Sequence, residues 1–375
     1  MPVVIPAGLM LLLGAAPVPE LSVPPGFTIA AIADVPGARE LAVAPNGDLF
    51  VGTSGDKVMV VTKPDSDAPD APRTFAQIDD VPVAGVAVTT DAVYVGGQFH
   101  VWKIPYAGGD TRARSVPMTI AAVRTSGVAR DHVTTTVAVN ESTLYVSVGS
   151  SCDACDPDID ATRATIQEMR LDGSGMHPKA VHIRNAIALA IDPQTHALWA
   201  GVAGQDALPH GHPYEIFDPV TSHEGVVNYG WPYCYDDHTA AKAGVDCRAQ
   251  TVPRVVFPAY DTPIGAVIYP ERLDGAHAFP ARFRGGAYVA LHGSWHVPLV
   301  PPRVAFVRLN GDQPDRPVDW SNPNAQWSGF VEGFQRPDQS RSGRPTGVAV
   351  GRSGDLFVAD DFAGRIYRVR WSGAR

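Results

Sequence analysis

A repeating two-strand unit constrains the fold of this chain more than any other feature of its sequence. Each copy begins with polar or Gly/Pro-containing residues and continues through a strand of small apolar residues. A turn then leads into a second apolar strand. Six copies are present: Arg39–Gly52, Ala84–Gly96, His132–Gly149, Arg184–Gly201, Pro263–Leu291 and Arg344–Ala359. Six such units are too many for one flat sheet, and radial closure would shield their edges. The repeat therefore predicts an all-β fold, a six-bladed β-propeller.

The distribution of glycine and proline supports this interpretation. The 36 Gly and 34 Pro residues are spread along all 375 positions, which is typical of many short strands and turns. An open sandwich or a solenoid is the alternative, but solenoid repeats are shorter and more regular than these units of roughly 45–80 residues. The early segment Phe27–Ile32 has no partner of its own, and we expect it to complete the last blade.

The N-terminus and the cysteines indicate export. Residues 7–16 resemble the apolar region of a signal peptide, although no Lys or Arg precedes them. We expect residues 1–19 to be a signal peptide or a disordered N-terminus, too short in its apolar run to span a bilayer. Residues 20–375 would form the single propeller domain. The cysteine pairs Cys152/Cys155 and Cys234/Cys247 favour two disulfides over zinc, because no His pair lies nearby at ligand spacing. The predicted location is periplasmic or secreted.

The charge balance argues against nucleic acid as a partner. The formal net charge is −9 and no basic run is present, whereas phosphate binding requires clustered Lys and Arg.

Polar residues stand where each repeat begins. In a propeller these positions lie on one rim of the central channel, however distant they are in sequence. Here they are Arg39-Glu40, Asp131-His132, Arg184-Asn185 and Arg344. Arginine binds carboxylates and stays charged, and histidine can accept a proton near neutrality. Each residue alone would be an ordinary structural residue, but their common register predicts a site for an anionic ligand and a proton transfer.

Other polar and aromatic residues have two interpretations. His210 and His212 could bind a metal, or they could be surface residues of a loop. Three tryptophans could stack on a sugar or belong to the core: Trp231, Trp295 and Trp320.

Four motifs resemble those of the soluble PQQ-dependent glucose/sorbosone dehydrogenases. They are Leu144-Tyr-Val-Ser-Val-Gly-Ser-Ser-Cys152, Asn228-Tyr-Gly-Trp-Pro-Tyr-Cys234, Ala290-Leu-His-Gly-Ser-Trp295 and Gly343-Arg-Pro-Thr-Gly-Val-Ala-Val350. They occur in the family's order, and the resemblance extends from about Pro25 to Trp371. It implies a six-bladed propeller that holds pyrroloquinoline quinone (PQQ) and Ca²⁺ at the channel mouth. It also implies oxidation of an aldose or a related aldehyde or alcohol. Because the sequence contains no haem-attachment motif, we expect a separate cytochrome or quinone to accept the electrons.

The resemblance assigns roles residue by residue. His132 corresponds to the catalytic base, and Arg184 to the arginine at the quinone carbonyl region. The other implied residues are Asn185, Arg344 and His296 at the cofactor, Gly204 and Gln205 at the Ca²⁺ of the cofactor, and Glu215 and Tyr229 at a nearby structural Ca²⁺.

The chain departs from the family pattern at three places. Thr134–Thr136 stand where family members commonly carry an arginine, and Ala186 replaces the usual proline. The family's Gly-Ser-Trp-Asn-Arg reads Gly293-Ser-Trp-His-Val297, so His296 would have to replace a missing cation. Two alternative functions follow. One is a non-catalytic propeller that binds carbohydrate or protein. The other is a Ca²⁺-dependent lactonase-type propeller, which Glu40 would support.

Overall fold

The computed structural model describes residues 20–124, 132–296 and 299–373. The predicted signal peptide, residues 1–19, and Asp131 lie outside this part of the chain. Within it, six sheets of antiparallel strands form a six-bladed β-propeller, which confirms the predicted fold class. The helical content of the described residues is limited to two 3₁₀ turns, Val220–Ser222 and Ala281–Phe283.

The strands follow one another in chain order from the channel outwards. The first, β1 (Phe27–Asp34), belongs to the last blade. Blade 1 contains β2 (Ala38–Val43), β3 (Leu49–Thr53), β4 (Lys57–Val61) and β5 (Arg73–Gln77). Blade 2 contains β6 (Gly85–Val88), β7 (Ala92–Gly96), β8 (His100–Pro105) and β9 (Met118–Ala122). Blade 3 contains β10 (Thr135–Asn140), β11 (Thr143–Val148), β12 (Thr165–Arg170) and β13 (His177–Val181).

The second half repeats this plan with longer insertions. Blade 4 contains β14 (Ala186–Ile191), β15 (Leu198–Val202) and β16 (Glu215–Pro219). The short strands β17 (Val227–Asn228), β18 (Cys234–Tyr235) and β19 (Thr239–Ala240) precede its outer strand, β20 (Val255–Phe257). Blade 5 contains β21 (Pro263–Ile268), β22 (Ala287–Leu291) and β23 (Arg303–Val307). The pair β24 (Leu309–Asn310) and β25 (Gln313–Pro314) precedes β26 (Trp327–Val331). Blade 6 contains β27 (Pro345–Val350), β28 (Leu356–Asp360), β29 (Arg365–Trp371) and β1.

The inner strands form a closed ring around the channel. Each contacts the inner strands on both sides, and β27 of the last blade contacts β2 of the first. Small residues permit this approach. A Cβ atom on Gly265 would lie only 2.1 Å from the carbonyl oxygen of Thr346 in the neighbouring blade, so only glycine fits there. The predicted preference for small residues on the first strand of each repeat follows from this crowding.

The first strand closes the ring, as the sequence predicted. Strand β1 pairs antiparallel with β29, joining the N-terminal and C-terminal segments in one sheet. Phe27 at its start is buried among aromatic rings, with edge-to-face contacts to Phe279, Phe330 and Trp371 at centroid distances of 4.7, 5.1 and 4.9 Å. Closure therefore depends on core packing as well as on strand pairing.

Both predicted disulfides are present. Cys152 pairs with Cys155, and Cys234 pairs with Cys247. Among the described residues, no helix has the length and apolar character needed to cross a membrane.

Candidate active site at the channel mouth

Loops that precede inner strands, together with the loops after β15 and β22, surround an open cavity of about 200 Å³. The cavity brings together seven predicted site residues: His132, Arg184, Asn185, Gly204, Glu215, His296 and Arg344. Its other lining residues are Ala203, Asp206, Tyr260, Thr262, Gly293, Ser294 and Trp295. Two predicted residues, Gln205 and Tyr229, instead line a neighbouring cavity that shares Arg184 and Gly204. The convergence of distant repeats at one rim follows from propeller geometry.

The ring of His132 is oriented by Ser150. Its Nδ1 lies 2.9 Å from the Ser150 carbonyl oxygen and 3.1 Å from the Ser150 hydroxyl oxygen. Because a carbonyl oxygen only accepts hydrogen bonds, Nδ1 carries the proton in this contact. In the neutral imidazole, Nε2 is then the basic nitrogen. The loop after β11 thus selects the tautomer that a proton-accepting histidine needs.

Arg124 holds the backbone around His132, and nothing in its local sequence revealed this role. Its guanidinium is fully buried and donates to the carbonyl oxygens of His132 and Thr134 at 2.9 and 2.8 Å. It also donates to the Gln98 carbonyl, at 2.7 Å, and to the Thr135 hydroxyl. Burial lowers the pKa of Arg124 to about 9, which leaves it charged at neutral pH. His132 has a φ of +20°, and these bonds restrain that rarely adopted backbone conformation.

Arg124 compensates for one of the differences between this chain and the family pattern, the threonines at 134–136. Family members carry an arginine after the histidine, whereas this chain has Thr134–Thr136. Here a guanidinium from blade 2 contacts this threonine segment of blade 3. The threonines therefore do not leave the segment without a cation.

Two carboxylates flank Arg184. Its Nη2 lies 2.8 Å from Asp153 Oδ1 and 3.2 Å from Asp206 Oδ2. Its other nitrogens donate to the carbonyl oxygens of Asp153 and Ala203. Only 8% of the Arg184 side chain is exposed, and in partly buried sites such charge-assisted bonds fix both charge and orientation. The sequence analysis missed both acidic partners, because they lie in loops without a repeat signal.

Asn185 and His132 both pack closely against Gly149. A Cβ atom on Gly149 would lie 2.4 Å from Asn185 Oδ1 and 2.5 Å from the Cβ of His132. Glycine is therefore required at this point of close approach. Asn185 and His132 belong to different blades, and both line the cavity.

Arg344 also lines the cavity, and its guanidinium has two acceptors there. It donates to the carbonyl oxygens of His292 and Gly293, both at 3.1 Å, and no carboxylate in the described part of the chain forms an ion pair with it. Burial lowers its pKa to about 10, and it stays cationic at neutral pH. Next to it, Asp361 accepts hydrogen bonds from Arg39 and His292. Burial lowers the pKa of His292 to about 4, which keeps this histidine neutral.

His296 stands within an aromatic stack at the rim. Its ring lies 3.9 Å from the Tyr260 ring centroid and 4.1 Å from that of Trp295. Its Nε2 lies 2.9 Å from Asp206 Oδ1, so the same carboxylate contacts both His296 and Arg184. Val297, where the family has an arginine, lies outside the described residues. Trp295 is 72% exposed at the cavity rim, in contrast to the buried Trp231.

The predicted metal residues fall into two groups. Gly204 and Gln205 follow β15, and neither backbone carbonyl accepts a hydrogen bond from the described part of the chain. Both carboxylate oxygens of Glu215 instead accept backbone N–H groups, from Gly204 at 2.8 Å and Tyr260 at 3.0 Å. Burial raises the pKa of Glu215 to about 8. The hydroxyl of Tyr229 donates to Asp218 at 2.6 Å.

Three further candidate residues do not line the mouth cavity. His212 contacts Asp236 at 2.6 Å, and Trp320 stacks on Tyr214. Glu40 lies within β2 at a bulge and is buried. Its Oε1 has no hydrogen-bond partner among the described residues, and burial raises its pKa to about 8. No cluster of three or more His, Cys, Asp or Glu side chains suited to a metal occurs in residues 20–124, 132–296 and 299–373.

Comparisons with known proteins agree with this architecture. Residues 209–372 match the TrAA12-like family model. An uncharacterized protein of Borreliella burgdorferi is 24% identical over 230 residues, which are 60% of this chain and 56% of that protein. The match thus spans little more than half of the relative's length.

Solved structures match nearly the whole chain. The PQQ domain of pyranose dehydrogenase from Coprinopsis cinerea has a TM-score of 0.80 at 18% identity, covering 94% of this chain and 98% of that one. A calcium structure of the Trichoderma reesei AA12 enzyme has a TM-score of 0.80 at 18% identity, covering 95% and 98%. The PQQ-bound aldose sugar dehydrogenase of Streptomyces coelicolor has a TM-score of 0.64 at 18% identity, covering 93% and 99%. The chain therefore has the fold of the soluble PQQ-dependent sugar dehydrogenases, as its motifs predicted, with a TrAA12-like region at residues 209–372.

Proposed function

We propose that this chain is a sugar oxidoreductase that uses PQQ and Ca²⁺ at the mouth of its channel. The observation that carries the proposal is the convergence of His132, Arg184–Asn185 and Arg344 from three blades on one cavity. This combination offers a base, two guanidinium groups and an amide around one cavity. The substrate would be an aldose or a related aldehyde or alcohol.

The donor set of the cavity fits PQQ, which carries three carboxylates. Among the described residues, the guanidinium of Arg344 is bonded only to carbonyl oxygens, so it can pair with a carboxylate of the cofactor. Asn185 and His296 would add hydrogen bonds. The carbonyl groups of Gly204 and Gln205 would supply part of a Ca²⁺ shell, which takes six to eight oxygen ligands. When bound, PQQ would supply the hydride acceptor and Ca²⁺ the electrophile that polarises it.

His132 would act as the general base. Its Nδ1–H bond to the Ser150 carbonyl leaves Nε2 as the proton-accepting nitrogen. Nε2 would take the proton of the substrate hydroxyl whose carbon is oxidised. Arg124 would fix the backbone position of this base by donating a hydrogen bond to the His132 carbonyl oxygen.

Arg184 would stabilise negative charge that develops at the reacting centre. Asp153 and Asp206 hold its guanidinium in one orientation, and a donor that is already oriented needs little reorganisation in the transition state.

The same two carboxylates, Asp153 and Asp206, reduce the net positive charge of the mouth. This is the observation that favours the second candidate, a non-catalytic propeller that binds carbohydrate or protein.

The two disulfides support an exported protein, in the periplasm or outside the cell. A separate cytochrome or quinone would then accept the electrons.

The lactonase-type alternative would depend on Glu40, which is not among the residues that line the mouth cavity.

The test is dye-linked oxidation of a panel of aldoses and aldehydes by purified protein. We expect turnover only when PQQ and Ca²⁺ are both added, with loss of turnover in EDTA. His132→Ala should reduce kcat by about 10²–10⁴-fold, the usual contribution of a positioned base. No turnover and no PQQ binding by the folded wild-type protein would refute the proposal and leave the binding propeller.

A further inference from the structure

The loop of residues 150–155 contacts both predicted catalytic side chains. It follows β11 and is closed by the Cys152–Cys155 disulfide, three residues apart in sequence. Within the loop, the Ser150 hydroxyl donates to the Cys152 carbonyl at 2.7 Å. The sequence analysis used these cysteines only as signs of export. Their location beside Arg184 and His132 indicates a structural role in the site as well.

Asp153 lies between the two cysteines and makes five contacts. Its Oδ1 accepts hydrogen bonds from Arg184 Nη2 at 2.8 Å and from the Asp206 backbone N–H at 2.7 Å. Its Oδ2 accepts the Ala207 N–H at 3.0 Å. Its carbonyl oxygen accepts Arg184 Nε at 3.2 Å and Trp231 Nε1 at 2.9 Å. Asp153 therefore binds Arg184 through both backbone and side chain, and it anchors the loop that carries Asp206.

The first residue of the loop, Ser150, contacts the side chain of His132. The carbonyl and hydroxyl oxygens of Ser150 lie within 3.1 Å of His132 Nδ1. The Ser150 N–H donates to the Arg184 carbonyl at 2.8 Å. One short segment thus sets the relative position of a residue of blade 3 and a residue of blade 4.

We infer that Asp153 is a positioning residue for Arg184, and that the disulfide-closed loop of residues 150–155 holds Arg184 and His132 in register. This inference rests on the proposed function. Small displacements of reacting groups reduce rates strongly, and the disulfide limits such displacements by removing conformational freedom from the loop. The loop would otherwise depend on hydrogen bonds from partly exposed side chains, since 33% of the Asp153 side chain is exposed.

A different role for Asp153 makes the opposite prediction. If Asp153 only neutralised Arg184, its removal would leave more positive charge at the mouth. Binding of the anionic cofactor would then tighten, and kcat would stay unchanged. A positioning role requires lower kcat without tighter cofactor binding.

The test compares the wild type with Asp153→Asn, with the double variant Cys152→Ser/Cys155→Ser and with the control Cys234→Ser/Cys247→Ser. The control removes the other disulfide, whose cysteines are not among the residues that line the mouth cavity. We expect kcat to fall about 10- to 100-fold in the first two variants, with KM for the sugar changed by less than about threefold. The control should keep wild-type kcat. Unchanged kcat in Asp153→Asn, or an equal loss in the control, would overturn the inference.

A second readout uses the cofactor-free protein. In ¹⁵N-histidine-labelled protein, we expect a protected His132 Nδ1–H signal in the wild type, in Asp153→Asn and in the control. The signal should disappear only in Cys152→Ser/Cys155→Ser, because Ser150 belongs to the same loop. Its persistence there would refute the part of the inference that concerns His132. This measurement needs neither PQQ nor turnover, so failure of the proposed function would be recognised separately, by the absence of PQQ binding to the wild type.

Discussion

The side chains of the two proposed catalytic residues, His132 and Arg184, are held by neighbouring residues for which we propose no chemical step. Arg124 and Ser150 hold His132 from two sides, and Asp153 and Asp206 hold Arg184. The rim of a propeller consists of loops, which lack the regular hydrogen bonds of strands. Dense side-chain-to-backbone bonding replaces them here, and it makes the orientation of each functional group specific.

Arg124 gives the first prediction at this scale. Arg124→Lys keeps the charge but loses the planar fork that binds several acceptors at once. We expect kcat to fall while the far-ultraviolet circular dichroism stays that of the wild type. Arg124→Met should also destabilise the fold, by about 3 kcal/mol, because several buried acceptors lose their donor. Arg114→Met, at an exposed ion pair with Asp110, is the control and should change neither quantity.

Glu40 gives a prediction of pH dependence. Burial raises its folded pKa to about 8 from 4.5, so the folded state binds a proton more tightly than the unfolded state. Glu40 therefore lowers the free energy of unfolding as the pH rises from 4.5 through 8, by up to about 5 kcal/mol. Glu40→Gln should be more stable than the wild type at pH 9 and similar at pH 4. Chemical denaturation at both pH values checks this, with the exposed Glu271→Gln as control. Equal stability of the variant and the wild type at pH 9 would contradict the prediction.

The sequence predicted the candidate site residues better than it predicted the residues that hold them in place. His132, Arg184, Asn185 and Arg344 could be found because each stands at the same point of its repeat. Arg124 could not, because it reaches them across a blade boundary and its local sequence resembles any strand end. Its role depends on a tertiary contact that a single sequence does not encode.

The closing strand shows how an element can decide the stability of the whole ring. Strand β1 pairs with a strand that is distant in sequence, since Asp34 lies 331 positions from its partner Arg365 and Phe27 lies 344 positions from its partner Trp371. Its pairing cannot form until the last blade is present. Its apolar anchor, Phe27, packs against rings of blades 5 and 6.

Phe27→Ala should therefore destabilise the protein by about 3–5 kcal/mol, the usual range for a buried phenylalanine. The midpoint of thermal unfolding should fall, and limited proteolysis should release the N-terminal segment first. Phe362→Ala, at a residue that is 59% exposed, is the matched control in the same blade. Equal midpoints for the two variants would show that β1 does not lock the ring.

The sequence predicted inner strands well and peripheral elements poorly. Inner strands carry small apolar residues followed by a turn, and that pattern recurs six times. The insertion in blade 4 has no such pattern. Its strand β17 (Val227–Asn228) pairs in parallel with β13 of blade 3, and a pairing between blades depends on the assembled ring.

In the whole molecule, closure of six repeats brings residues spread over more than 200 positions, from His132 to Arg344, to one proposed cofactor site. A disulfide closes the loop beside Arg184, so we expect the site to form fully under oxidising conditions.

The measurement that tests this claim most directly is a titration of the purified protein with PQQ in the presence of Ca²⁺. We predict one PQQ per chain, with Arg344→Ala weakening the affinity about 10- to 100-fold, as expected for loss of a charge-assisted contact. Arg352→Ala, an exposed residue that bonds to Asn46 rather than to any mouth residue, should leave the affinity unchanged. Failure of the folded wild type to bind PQQ, or equal effects of the two substitutions, would contradict the account.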